Sequence, residues 1–151
     1  MYTKSRAEKR VYDELLKQGI NAYIPTRKEL KCWSDRKKWV ETPIISSYVF
    51  VNIQAENYLK VFNANGVLSY VSRKGKPVVI PDREMSAMKR MVDSNLSFDV
   101  EAKTIRRGQN ITIKSGPLAG ITGKVVEIQG KKKFFITISH IGYSLVVTLD
   151  D

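Results

Sequence analysis

Apolar positions recur with a helical period three times in the first 93 residues. Ala7, Val11, Tyr12, Leu15 and Leu16 share one face of a helix predicted over 5–18. Ser5-Arg6-Ala7-Glu8 has the form of a capping box at its start, and Gly19 suits the left-handed residue that ends it. Tyr58, Leu59 and Phe62 stripe a second helix near 55–64, and Met85, Met88, Met91 and Val92 a third, with Asp82 as its N-cap. Between them, Ala22-Tyr23-Ile24 reads as a short strand stopped by Pro25, and residues 26–42 as a long hairpin or extended loop turning at Ser34-Asp35. The run from Ile44 to Ile53 is the strongest strand, and Val67 to Ser72 another.

After a polar stretch around Asp93 to Ser97 the period changes to two. Ile111 and Ile113, then Val125 to Ile128, then Phe134, Ile136 and Ile138, then Leu145, Val147 and Leu149 read as short strands separated by glycines. Several strands in so short a span predict a small closed barrel. The chain is therefore expected to be α+β over 1–94, a linker over 95–103, and all-β over 104–151.

Alternation along the strong strand puts Val49, Val51 and Ile53 on one face and Tyr48, Phe50 and Asn52 on the other. The β-branched row suits a helix-covered core. Three short helices are few for two faces, so the Tyr48/Phe50 face either packs on the third helix or the barrel, or stays partly exposed as a protein-binding patch.

Charge narrows the partners. Lys and Arg number 26 against 15 acids, a net charge of +11. That excess favours a polyanion or a machine built around one. Lys4, Arg6, Lys9 and Arg10 crowd the start of the first helix, where cations oppose the helix dipole. The stretch Arg27 to Lys38 holds six basic and two acidic residues, with Trp33 inside it and Trp39 next to it. A single Cys32 and a single His140 make neither a disulfide framework nor a metal site. With no carboxylate pair, nucleophile elbow or cofactor fingerprint, no enzyme activity and no cofactor are expected. With no apolar run of spanning length and no signal-peptide core, the expectation is cytoplasmic residence and no membrane partner.

The most specific signal is glycine spacing. Gly108, Gly116, Gly120 and Gly123 punctuate the segment from Arg107 to Val125. Gly123-Lys124 opens a strand rather than a helix, so the segment is not a phosphate-binding loop. It resembles the KOW motif. In the front half, Tyr2 to Lys9, Ala22-Tyr23-Ile24-Pro25, Ser47-Tyr48-Val49-Phe50-Val51, Gly66 to Val71 and Ile80-Pro81 resemble, in order and spacing, the N-terminal (NGN) domain of the NusG family. The resemblance implies a ferredoxin-like NGN domain, an antiparallel sheet with helices, followed by an SH3-like KOW barrel. It implies a monomeric bacterial transcription elongation or antitermination factor that docks on RNA polymerase and suppresses pausing or termination. The segment Tyr2 to Lys9 looks more like operon-specialised paralogues such as RfaH and the UpxY regulators of surface-polysaccharide operons.

Site residues follow from the same resemblance. Tyr48, Phe50 and Ile45 fall where the family binds the β′ clamp helices, with Tyr2 and Tyr70 bordering. Lys4 and Arg10, with Arg6 and Lys9, face the non-template DNA strand. Lys31, Arg36, Lys37 and Lys38 in the hairpin are placed to touch upstream duplex DNA; reading sequence would need base contacts as well, to splayed single-stranded bases on which Trp33 or Trp39 either stacks or packs. The barrel's partner in the family is ribosomal protein S10 or Rho. Two departures stand out: Met1 immediately precedes Tyr2, which predicts a nearly absent first strand, and Ser46-Ser47 replaces the family's Pro-Gly or Pro-Asn. The rival reading is a ribosome- or RNA-binding KOW protein that uses the barrel and its Lys131-Lys132-Lys133 tip.

Overall fold

The computed structural model describes residues 1–149 and forms two compact units, Met1–Val78 and Val79–Asp151. The first contains β1 (Tyr2–Thr3), α1 (Glu8–Lys17), β2 (Asn21–Tyr23), β3 (Thr26–Cys32), β4 (Lys37–Pro43), β5 (Phe50–Asn52), a 3-10 helix (Ala55–Asn63), β6 (Val67–Ser69), β7 (Ser72–Arg73) and β8 (Lys76–Pro77). Antiparallel ladders join β1 to β6 and β2 to β5. The two ladders meet at a bridge between Tyr2 and Tyr48. Thr3 N–H donates to Ser47 O at 3.0 Å, and Val49 N–H to Met1 O at 3.0 Å. The sheet therefore runs β6–β1–β5–β2. The first strand is two residues long, as the sequence predicts, yet it holds an inner position.

One face of this sheet is closed by α1. Val11 and Leu15 pack with Met1, Ala22, Val49, Val61 and Ala64 in a single buried cluster. The helix ends in a Schellman motif: Gly19 takes φ 76°, with Ile20 N–H bonded to Leu15 O and Gly19 N–H to Leu16 O. Its start differs from expectation. Arg6 sits at φ 60°, so the helix begins at Glu8 with no side-chain cap. Glu8 is buried, and its carboxylate accepts from Ser47 N–H at 2.7 Å instead of closing a capping box. The strong strand is shorter than its apolar run. Ser47 at φ 64° turns the chain, leaving Ile44 to Ser47 outside the ladder. The segment 55–63 winds as a 3-10 helix rather than an α-helix.

The second unit contains α2 (Asp82–Asp93), β9 (Asp99–Glu101), β10 (Gln109–Thr112), β11 (Thr122–Ile128), β12 (Lys131–Ile138) and β13 (Tyr143–Leu149), with strand order β10–β11–β12–β13–β9, all antiparallel. Two expectations change here. The segment 95–103 is not merely a connection, since β9 lies within it and pairs with β13. The third helix packs on β12, so the chain divides ahead of α2 rather than after it. The cause is in β12, where Phe134, Phe135 and Ile136 are consecutive buried residues and so occupy both strand faces. One face is barrel interior; the other needs a cover, and the buried Ala87, Met88 and Met91 of α2 provide it. Arg90 fastens the helix by donating to Pro117 O at 2.8 Å and Ala119 O at 2.6 Å, and Ser139 Oγ meets Glu84 Oε1 at 2.9 Å. The N-cap is Pro81, not Asp82.

Candidate functional site

The aromatic face of the first unit is smaller than the sequence suggests. Tyr2 (37 % exposed) and the half-buried Tyr48 lie side by side, with ring centroids 4.9 Å apart and planes at 52°. Phe50 (7 %) and Ile45 (2 %) are buried, and so do not present the open surface expected of them. The turn at Ser47 carries Ile45 out of the strand, and alternation keeps Phe50 out of the cluster under α1. Tyr70 directly follows Ser69, the residue paired with Tyr2. The Tyr70 hydroxyl donates to Tyr58 O at 2.8 Å, and its ring meets Tyr58 at 5.4 Å and Phe62 edge-on at 5.9 Å. Burial, with a smaller contribution from Tyr58, pushes its phenol pKa up. It packs against the cluster under α1.

The cations at the start of α1 are all exposed and divide into two pairs. Lys4 and Arg10 sit beside Gly66: Lys4 N–H donates to Gly66 O at 2.8 Å, and an Arg10 guanidinium nitrogen lies against the same glycine. Arg6 and Lys9 face the β3–β4 hairpin. The Lys9 ammonium donates to Glu41 O, and a groove between the two elements is lined by Arg6, Lys9, Lys31, Trp33 and Thr42. The pairing register divides the hairpin's own cations. Lys31 and Lys38 are opposite one another on the face that carries Val40 and Thr42. Lys37 points the other way, opposite Cys32. The Arg36 guanidinium covers the Trp33 ring at 5.2 Å. The sequence reading missed Lys28 and Leu30, which share the face of Lys37 and Trp39; a period of two along 28–32 and 37–41 is the signal that would have found them.

In the second unit the motif glycines shape the barrel. A Cβ on Gly123 would stand 2.5 Å from Phe135 O and 2.6 Å from two Phe134 ring carbons, so β11 lies against β12 only because that atom is absent. Gly108 is likewise closed in by Val125 O. Gly116 and Gly120 form the turn between β10 and β11, where Gly120 N–H closes on Ile113 O at 2.7 Å. Gly123-Lys124 is inside a strand, as expected, and offers no phosphate cradle.

Residues 1–89 match the family model described as transcription termination factor nusG, a span that ends inside α2. The chain is 30% identical over 142 residues to the transcription termination/antitermination protein NusG of Staphylococcus carnosus, covering 89% of this chain and 76% of that protein. The Staphylococcus aureus protein of the same name matches to the same extent. A structure reported for domain interaction in Thermotoga maritima NusG shares the fold, with a TM-score of 0.52 at 24% identity over 98% of this chain and 89% of that one.

Proposed function

We propose, since the chain belongs to the NusG family of transcription termination/antitermination factors, that it is a bacterial elongation and antitermination factor that binds RNA polymerase through its first unit and reduces pausing or termination. The observation that carries this reading is the Tyr2–Tyr48 pair. Two large rings side by side, at least partly in contact with water, are the composition of an interface anchor. In this reading Tyr48 and Tyr2 meet the β′ clamp helices, and the buried Ile45 and Phe50 hold the backbone that presents them. Lys4, Arg6, Lys9 and Arg10 lie along the DNA. Binding shared between clamp and cleft favours the closed, elongating polymerase over the paused one. The protein works by binding and needs no catalytic group or cofactor. It acts in the cytoplasm, and its barrel recruits ribosomal protein S10 or Rho; operon specialisation, resting on the Tyr2 to Lys9 segment, would show as weak Rho binding.

The test is the full chain carrying Tyr48→Ala, titrated against core RNA polymerase. Affinity is expected to fall about thirtyfold, equivalent to ~2 kcal/mol, while the thermal melt stays in place. Unchanged affinity with an intact fold removes the docking surface. Phe50→Ala is the wrong probe, because truncating a buried phenylalanine costs ~3–5 kcal/mol of stability before any partner is involved. A transcription assay across a Rho-dependent terminator should show increased readthrough.

A further inference from the structure

The β3–β4 hairpin has two unlike faces. One, with Lys31, Val40 and Thr42, forms the groove with α1. The other carries Lys28, Leu30 and Cys32 opposite Glu41, Trp39 and Lys37, and every one of these six side chains is exposed. Leu30 and Trp39 form a directly opposed cross-strand pair at its centre, 46 % and 64 % exposed. A cross-strand apolar pair normally stabilises a hairpin by shedding water, and this one leaves half or more of its surface wet. Trp33 differs, since its ring is already covered by Arg36. Among the described residues nothing stacks on Trp39, and neither Lys28 nor Lys37 is in an ion pair.

The placement of charge says what fits this face. Lys37 lies two residues before Trp39 on β4, and Lys28 two residues before Leu30 on β3. Because the strands are antiparallel, the two lysines flank the Leu30–Trp39 pair at opposite diagonal corners, the Cα of each about 7 Å along its strand from the pair. Glu41 lies across from Lys28, so the apolar platform is framed by two cations and one carboxylate; the excess positive charge still matches a base whose two neighbouring phosphates run outward along the chain. We propose that this face of the hairpin is a stacking site for single-stranded nucleic acid, with a base on the Trp39 indole, Leu30 at its edge, and Lys28 and Lys37 on the flanking phosphates. Base–aromatic stacking tolerates any base, so the site takes single strands without strong sequence preference. Duplex DNA does not fit, because its bases are stacked on one another and closed to an indole. The site is separate from the Tyr2–Tyr48 surface, and the polymerase reading stands or falls without it.

The protein has only two tryptophans, which makes the test direct. In a full-length Trp33→Phe variant, Trp39 is the sole emitter. Titration with a dodecamer of deoxythymidine at low salt should quench its fluorescence. Trp39→Ala should weaken binding of a fluorescently labelled dodecamer by about 5- to 150-fold, the range for loss of one stacked base. Lys28→Gln with Lys37→Gln should lower the slope of log affinity against log salt by about 1.4, two phosphate contacts' worth for a single strand. All three residues are exposed, so the variants should melt with the wild type, and Trp39→Ala should bind core RNA polymerase as wild type does. Three results would overturn the site: no quenching, a dodecamer affinity indifferent to Trp39→Ala, or equal Trp39 quenching by a duplex of the same length. Loss of polymerase binding on Trp39→Ala would mark the face as a protein contact instead and also overturn it.

Discussion

Ser47 occupies left-handed backbone (φ 64°), a conformation that costs an L-residue other than glycine or asparagine ~1–2 kcal/mol. Its amide is held there by the buried Glu8 carboxylate, and its carbonyl by Thr3 N–H. Both bonds use backbone atoms of residue 47, so Ser47→Gly keeps them and releases the strain. We expect that variant to gain about 1 kcal/mol in urea denaturation, and Glu8→Ala to lose about 2 kcal/mol, since it strips a carboxylate acceptor from a part-buried amide. A destabilised Ser47→Gly would contradict the strain argument. This residue also explains a misreading. Ser5 and Glu8 have capping-box spacing, and nothing local reveals that the carboxylate is engaged 39 residues away. Helix termination at Gly19, by contrast, was legible, because a Schellman motif is complete within six residues.

Elements were legible where one face was buried and misjudged where two were. The α1 stripe follows its period, and the β3–β4 hairpin and the barrel strands form where they are expected, although β12 and β13 each bury three consecutive residues. The run from Ile44 to Ile53 does not form as expected, because composition records apolar character and not the turn at Ser47 that removes half of it from the ladder. In β12 the consecutive Phe134, Phe135 and Ile136 already announced a strand covered on both sides; what the sequence withheld was that α2 supplies the cover. The same phenylalanine ring fixes the tolerance of the glycine motif. Gly123→Ala drives a methyl into Phe134 and into the Phe135 carbonyl, and should cost ~3 kcal/mol, read as a lowered unfolding midpoint of the barrel by near-UV circular dichroism. Gly116→Ala meets open space and should cost only ~1 kcal/mol from its backbone angle (φ 83°). Equal losses for the two would refute the close-approach account. The site residues divide on similar lines. The cation-rich stretches were plain from charge, but their sorting into an inner groove and an outer face needed the register of β3 on β4.

At the scale of the molecule, charge and stability meet at the first residue. Met1 is buried, its ammonium donates to Val49 O at 2.6 Å, and desolvation lowers the pKa from 8.0 to about 6. Between those values the unfolded chain carries a proton that the folded chain has shed, so stability rises with pH across roughly 6 to 8 and levels off above. The full swing for two pKa units is ~2.7 kcal/mol. Urea midpoints measured from pH 5.5 to 8.5 should show it, and acetylating the α-amine should flatten that part of the profile. An unaltered slope after acetylation would assign the dependence elsewhere. The inner strand β1 has residues 47–49 and 67–69 as its neighbours, both far along the sequence from it. A nascent chain emerging at about 5–20 residues per second must carry that strand unpaired for several seconds before either neighbour has been translated. During that interval β3 and β4, which need only each other, are the first strands of the unit able to pair.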